Sequence, residues 1–177
     1  MRSESGREIR YNTDSMTATY TYMTREGYDG ITKEYEELKS NRPEYVKTLT
    51  QAADMGDRSE NAAYTNAKRK LRSTDSRLRF LKKVIDHTKV VVPDQTGYIQ
   101  IGSQVKVHLN EHEFMLHIVG LHEADPLQNK VSYRSPVGSA LLNHRVGDVV
   151  KINLEDRVIE YEVIEISAKS FTTAGVK

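Results

Sequence analysis

The run Gly56-Asp57-Arg58-Ser59-Glu60-Asn61-Ala62-Ala63-Tyr64 decides how the first half of this chain folds. It puts two carboxylates three residues apart at a point where one helix ends and another begins. Downstream, Tyr64, Leu71, Leu78 and Ile85 recur every seven residues, and Ala67, Thr74 and Leu81 fill the intervening positions of the same seam. Upstream, Tyr28, Ile31, Tyr35, Leu38, Tyr45, Leu49 and Ala52 form a second stripe, interrupted by Arg42 and Pro43. Folding the chain back at Gly56-Asp57 sets Leu49 near Tyr64, Tyr35 near Leu78, Ile31 near Leu81 and Tyr28 near Ile85. The register closes on itself, which predicts an antiparallel coiled-coil hairpin. Arms of about 30 residues at about 1.5 Å per residue reach roughly 45 Å.

Local signals agree at the helix ends. Thr24 can cap the first helix, Gly56 suits the reversal, and Asp57 or Ser59 can cap the second by accepting free backbone N–H groups. Pro43 removes one helical hydrogen bond, so a kink is expected there, but the stripe resumes beyond it. After Pro93 the pattern changes. Val105, Val107 and Leu109, then Phe114, Leu116 and Ile118, then Val131 and Tyr133 alternate as strands do. A helical patch from Val137 to His144 follows Pro136, and Val149 to Leu154 and Val158 to Ile166 complete a small, mostly antiparallel sheet with one helix. The fold class is therefore α+β. The divisions are a mobile extension over 1–22, the coiled coil over 23–92, a linker over 93–97 and a C-terminal domain with a short tail over 98–177.

The 177 residues contain no cysteine, which excludes disulfides and thiolate metal sites and fits a cytoplasmic protein. Residues 1–22 have no continuous apolar core, so they are not expected to be a signal peptide, and no segment is long enough to span a membrane. Tyr20 and Tyr22 can dock on the stalk. His108 and His112 are four apart but flank a strand end, where helical metal-ligand spacing does not apply. No Gly-rich phosphate loop or Ser/His/Asp constellation stands out.

A net charge of +1 conceals an asymmetry. Lys68, Arg69, Lys70, Arg72, Arg77, Arg79, Lys82 and Lys83 crowd one helix with only Asp75 opposing them. Most charge runs are solvated faces. This one is contiguous and of a single sign, whereas ordinary exposed helices mix signs to gain pairs across a turn. A nucleic-acid strand can be guided along such an arm by attraction that weakens with salt.

Thr24-Arg25-Glu26-Gly27-Tyr28, Arg42-Pro43-Glu44, Gly56-Asp57-Arg58-Ser59-Glu60-Asn61-Ala62, Ser135-Pro136 with Ala140-Leu141-Leu142, and Val146-Gly147-Asp148 occur in this order. Together they resemble the bacterial Gre transcript cleavage factors over about residues 23 to 166. The tip and the basic face resemble the GreB branch more than GreA. The resemblance implies an FKBP-like C-terminal domain that docks at the rim of the RNA polymerase secondary channel, with Ser135 and Pro136 in the docking loop, and a coiled coil that enters the channel. It implies that Asp57 and Glu60 help hold a second magnesium ion and orient the attacking water when the extruded 3′ end of a backtracked nascent RNA is hydrolysed. The chain is then a cofactor of the polymerase's own cleavage activity rather than an enzyme by itself. Arg58, Asn61, Lys68, Arg69, Arg72 and Arg79 are the candidate RNA contacts. The two stripes satisfy each other within one chain, so a monomer is expected.

Each assignment has a structural alternative. Asp-x-x-Glu before a helix is also a capping box, in which both carboxylates satisfy backbone donors. Asn61 either positions Glu60, contacts RNA or is an ordinary first-turn residue, and Tyr64 is read as seam packing. Ser135 and Pro136 also suit a strand-to-helix turn, with Ser as cap and Pro in the first turn. Four features depart from the family pattern: the long extension before Met23, a stretch between Tyr28 and Pro43 about one residue short, Ala63 at a position often acidic, and the tail after Ile166. Two other functions remain in view, a secondary-channel regulator that does not cleave, and a prolyl isomerase or adaptor module, which a ring of aromatic residues lining a proline pocket would support; Phe114, Tyr133 and Tyr161 read instead as core alternation. Fold alone does not choose among them.

Overall fold

The computed structural model describes residues 20–55, 61–94, 96–154 and 157–168. Contacts divide the chain into two compact units, Tyr28–Thr88 and Lys89–Lys177 together with Met1–Gly27.

The first unit is the helical pair α1 (Arg25–Asp54) and α2 (Ala62–Asp86), with α1 beginning in the other unit. Thr24 ends a short strand, β1 (Thr21–Thr24), and caps α1: its Oγ1 accepts from the Gly27 N–H at 3.1 Å. α1 runs unbroken through Pro43. The apolar stripe positions Tyr28, Ile31, Tyr35, Leu38, Tyr45 and Leu49 are half-buried, and Ala52 is buried. On α2 the buried line is Ala67, Thr74, Leu81 and Val84, while Tyr64, Leu71, Leu78 and Ile85 flank it half-buried. The intervening positions are thus the centre of the seam on α2. Small Ala and Thr side chains at these places leave little apolar volume for the pair to bury.

In the second unit β1 pairs with β2 (Thr88–Val91). The mobile extension expected over 1–22, with Tyr22 on the stalk, does not hold at its end, where Thr21–Thr24 form β1. Instead Tyr22 packs edge-on against Tyr133, ring centroids 6.0 Å apart, and Met23 is fully buried. Glu123 secures this segment by accepting from the Thr24 backbone N–H at 2.9 Å, the Thr24 hydroxyl and the Gly120 N–H at 2.8 Å. The main sheet contains β3 (Ser103–Leu109), β4 (His112–Val119), β5 (Lys130–Ser132), β6 (Val149–Leu154) and β7 (Arg157–Ala168) in the order β5-β4-β3-β7-β6. All its pairings are antiparallel except β4 with β5, which makes it a mixed sheet.

Alternation places Val105, Val107, Leu116, Ile118, Val150, Ile152, Tyr161 and Val163 in one core. The three-residue step from Val163 to Ile166 breaks the alternation. It is absorbed where the β3–β7 register shifts, Lys106 pairing with Glu165 and Val107 with Val163. Tyr133 and Tyr161 are buried in this core and Phe114 packs edge-on against Tyr161 at 6.1 Å, so these rings serve packing rather than a proline pocket.

α3 (Pro136–Leu141) is shorter than the helical patch read from sequence, because the chain turns at Leu142 and Asn143 takes a left-handed conformation, φ 64°. Gly138 lets α3 lie against β5, since a Cβ there would drive into the Ser132 carbonyl oxygen, which is backbone and cannot swing away. Gly30 on α1 has open space where a Cβ would go. Gly138→Ala should therefore lower unfolding free energy by about 1–3 kcal/mol through overpacking. Gly30→Ala should raise it by about 0.5–1 kcal/mol through helix propensity. Urea denaturation followed by circular dichroism checks both signs.

Candidate nucleic-acid interface

Polar contacts between α1 and α2 fix the direction and register of the hairpin. Asn61 Nδ2 donates to the Ala52 carbonyl at 2.9 Å, Lys70 Nζ lies 5.3 Å from the Tyr45 ring centroid, Arg42 pairs with Asp75, and Arg77 pairs with Glu34. As the first partner descends from 52 to 34 the second climbs from 61 to 77, as an antiparallel pair requires. The register agrees with that expected from the stripes. The Arg77–Glu34 contact is two-pronged, both N···O distances being 2.7 Å, and the Arg77 guanidinium holds the Glu34 carboxyl below its ordinary range.

Asp57, Arg58 and Glu60, with Ser59, lie outside the described residues. They belong to the connector between the helices. Asn61, which follows them, is the N-cap of α2: its backbone is extended and its Oδ1 accepts from the Tyr64 N–H at 3.1 Å. This corrects the expectation that Asp57 or Ser59 caps the helix. Asn61 also bonds Ala52, so one side chain starts α2 and ties it to the last turns of α1. Because Asn61 fills the cap, the capping-box explanation of Asp57 and Glu60 loses its helix end.

The basic run separates into two groups. Arg77 and Lys82 are ion-paired, with Glu34 and Asp86 respectively, and Asp75 is held by Arg42. Lys68, Arg69 and Arg72 have no ion-pair partner among the described residues. With Tyr64, Thr65 and Ser73 they line one groove of about 600 Å³ on α2. Helical spacing carries the same face on to Ser76, Arg79 and Lys83. Tyr64 is half-buried and presents its ring to Lys68, 5.8 Å from Nζ, so it serves the seam and the groove wall together. Positive groups beside an aromatic ring, with the neighbouring Asp75 engaged by Arg42, are what a single strand of nucleic acid engages through phosphates and bases.

Ser135 and Pro136 lie in the other unit at the start of α3. Ser135 Oγ accepts from the Gly138 N–H at 3.0 Å and donates to the Ser132 carbonyl at 2.8 Å, and Pro136 takes the first helical position, where no N–H is needed. The strand-to-helix reading of this pair therefore holds in geometry, with Pro136 exposed. Sequence reasoning missed Glu34 and Asp86 as the partners that thin out the basic face, and Arg42 as the partner of its one acid, Asp75. The i,i+4 spacing of Lys82 and Asp86 was readable. The other two pairs needed the hairpin register and the facing sides of both helices. Among the described residues no group of three His, Cys, Asp or Glu side chains could hold a metal ion, and no helix is long and apolar enough to cross a membrane.

Residues 21–90 match the family described as "Transcription elongation factor, N-terminal" and residues 94–168 that described as "Transcription elongation factor, GreA/GreB, C-term". The chain is 41% identical over 153 residues to transcription elongation factor GreA 1 of Lactiplantibacillus plantarum, covering 85% of this chain and 98% of the relative. It is 37% identical over 158 residues to transcription elongation factor GreB of Yersinia pestis, covering 87% and 92%. Relatives of both names thus occur at similar identity and do not separate the two branches. Among solved structures, GreA factor homolog 1 (Gfh1) of Thermus thermophilus is similar over 84% of this chain and 99% of its own, at 25% identity and a TM-score of 0.40.

The double role of Asn61 has a measurable signature. Asn61→Ala should cost about 1–2 kcal/mol of stability through loss of the cap and of the bond to Ala52. Asn61→Asp, which keeps the acceptor for Tyr64 but cannot donate to Ala52, should cost less. Thermal unfolding by circular dichroism distinguishes the two, and equal losses would mean that the cap carries none of the effect.

Proposed function

The chain belongs to the GreA/GreB family of transcription elongation factors, and from that premise we propose that it rescues backtracked RNA polymerase by stimulating cleavage of the extruded RNA 3′ end. The observation that carries this reading is the register-locked hairpin whose connector holds Asp57 and Glu60, with the Lys68–Arg69–Arg72 groove just behind it on α2.

In this reading the C-terminal domain, with the exposed Pro136 beside Ser135, rests on the rim of the bacterial polymerase's secondary channel, and the arm enters it as a monomer. The α2 helix of 25 residues spans about 37 Å at about 1.5 Å per residue, ample for a channel of molecular depth. Arg58, Lys68, Arg69, Arg72 and Arg79 attract the RNA phosphates, and the attraction weakens with salt. Asn61 holds the start of α2 against α1, so the connector between them begins and ends at fixed points.

Asp57 and Glu60 would hold magnesium jointly with the polymerase. The donor set fits: magnesium prefers hard oxygen ligands, commonly takes one or two carboxylates from a protein and keeps several waters. The cap of α2 is filled by Asn61, so neither carboxylate is required for it. When bound, the metal activates water and stabilises the leaving oxygen of an in-line displacement. One ion on two carboxylates supplies half of a two-metal displacement, so in this reading the polymerase holds the other ion and the chain acts as a cofactor of the polymerase's own hydrolysis.

The test is RNA cleavage in a defined backtracked elongation complex supplied with magnesium. Asp57→Ala/Glu60→Ala should reduce cleavage to that of polymerase alone while competing with wild type for the polymerase within about twofold, because Asn61, not either carboxylate, caps α2. Loss of binding together with cleavage would make the two carboxylates structural. Wild-type binding without cleavage would favour the regulator that does not cleave.

A further inference from the structure

Arg42 stands at a seam position of α1, between Leu38 and Tyr45, where an apolar residue is expected. Its guanidinium reaches across to Asp75 of α2, Nε to Oδ1 at 2.7 Å and Nη2 to Oδ2 at 3.4 Å, so both carboxylate oxygens are engaged. Asp75 lies three residues after Arg72 and four before Arg79, which makes both arginines its neighbours on the helix surface. An acid four residues before a base is the favourable orientation for a pair within a helix. Left alone, Asp75 would turn to Arg79 or Arg72 and cancel a charge on the face that continues the groove. The carboxyl of Asp75 is held below its ordinary range first by the hydrogen bond from Arg42 and least by the charge of Arg79. Among the described residues neither Arg72 nor Arg79 has an ion-pair partner.

We propose that Arg42 is a positioning residue for RNA capture, holding the Asp75 carboxylate toward α1 and so keeping Arg72 and Arg79 available to a single-stranded polyanion. The inference rests on the reading of the α2 face as an RNA surface. It gives a function to the charged residue that interrupts the apolar stripe. The bidentate fork matters because it occupies both oxygens, whereas a lysine at the same place would leave one free.

The test is a double-mutant cycle on the full chain, with fluorescein-labelled single-stranded oligouridine RNA as the probe and fluorescence anisotropy as the readout over a series of salt concentrations. Arg42→Gln should weaken binding by about 3–10-fold at low salt and flatten the dependence of log K on log salt by about 0.7, the value of one lost phosphate contact on a single strand. Asp75→Asn should change wild-type affinity by less than about threefold, yet return Arg42→Gln to wild-type affinity and slope. If Asp75→Asn strengthens binding equally in both backgrounds, the two residues act only as additive charges and the proposal is overturned. Circular dichroism establishes that each variant keeps the hairpin. Should Arg42→Gln fail to fold, Asp75→Asn alone still decides, because a rise of more than about threefold means Asp75 already competes for the arginines in the wild type. Lys68→Gln/Arg69→Gln/Arg72→Gln separates this failure from that of the underlying reading. If wild type does not bind the RNA, or the triple variant binds it unchanged, the RNA face itself falls and the role of Arg42 with it.

Discussion

The antiparallel register of α1 against α2 is the constraint on which the functional arrangement depends. Its apolar seam is thin, since Ala67 and Thr74 occupy buried positions that leucine would fill in a stronger coiled coil. A seam of small residues permits close approach but discriminates weakly between neighbouring registers. Polar pairs supply the discrimination: Arg42 finds Asp75, Arg77 finds Glu34, and Asn61 finds the Ala52 carbonyl in one register only. A slip of one helical turn would separate all of these pairs together. Exposed ion pairs add little net stability, so their value here is in choosing the alignment.

The same pairs shape the electrostatics. Glu34 and Asp75 are each claimed by an arginine through two contacts. Among the described residues Lys68, Arg69 and Arg72, which line the groove, are therefore left without an ion-pair partner. Alignment of the arm and the charge left on its basic face are thus consequences of one set of contacts. In the other unit, Glu123 performs the corresponding task for the start of the arm by gathering the Thr24 and Gly120 backbone N–H groups on one carboxylate.

Much of this was legible in the sequence, for identifiable reasons. The heptad spacing from Tyr64 to Ile85 and the stripe from Tyr28 to Ala52 gave helices, turn and register together, because one alignment satisfies both stripes. Strand alternation located β3, β4, β6 and β7, and the irregular step from Val163 to Ile166 matches the observed register shift. The cap of α2 was misread because Asp57, Ser59 and Asn61 are all good caps, and only the phase of the folded helix selects Asn61. The parallel pairing of β5 with β4 depends on a three-residue strand reached through two short turns, too little sequence for a periodic signal. β1 was hidden likewise, since Tyr22 and Met23 declare themselves only by what they pack against. Glu34 was overlooked as a partner of Arg77 because 43 residues separate them and nothing local links their charges.

The central claim is that an arm of fixed length and register carries the two connector carboxylates to the polymerase's active site. Removing residues 30–36 and 77–83 together deletes one heptad from each helix, takes out Glu34 with its partner Arg77 and also Arg79, whose lost charge full-length Arg79→Gln controls for, preserves both stripes and shortens the arm by about 10 Å at about 1.5 Å per residue. The decisive measurement is the rate of RNA cleavage in a defined backtracked complex at saturating concentrations of this shortened protein. The account predicts a folded factor that binds the polymerase with Asp57 and Glu60 intact and leaves cleavage at the level of polymerase alone. Wild-type cleavage by the shortened arm would contradict it, because reach would then have no part in the function.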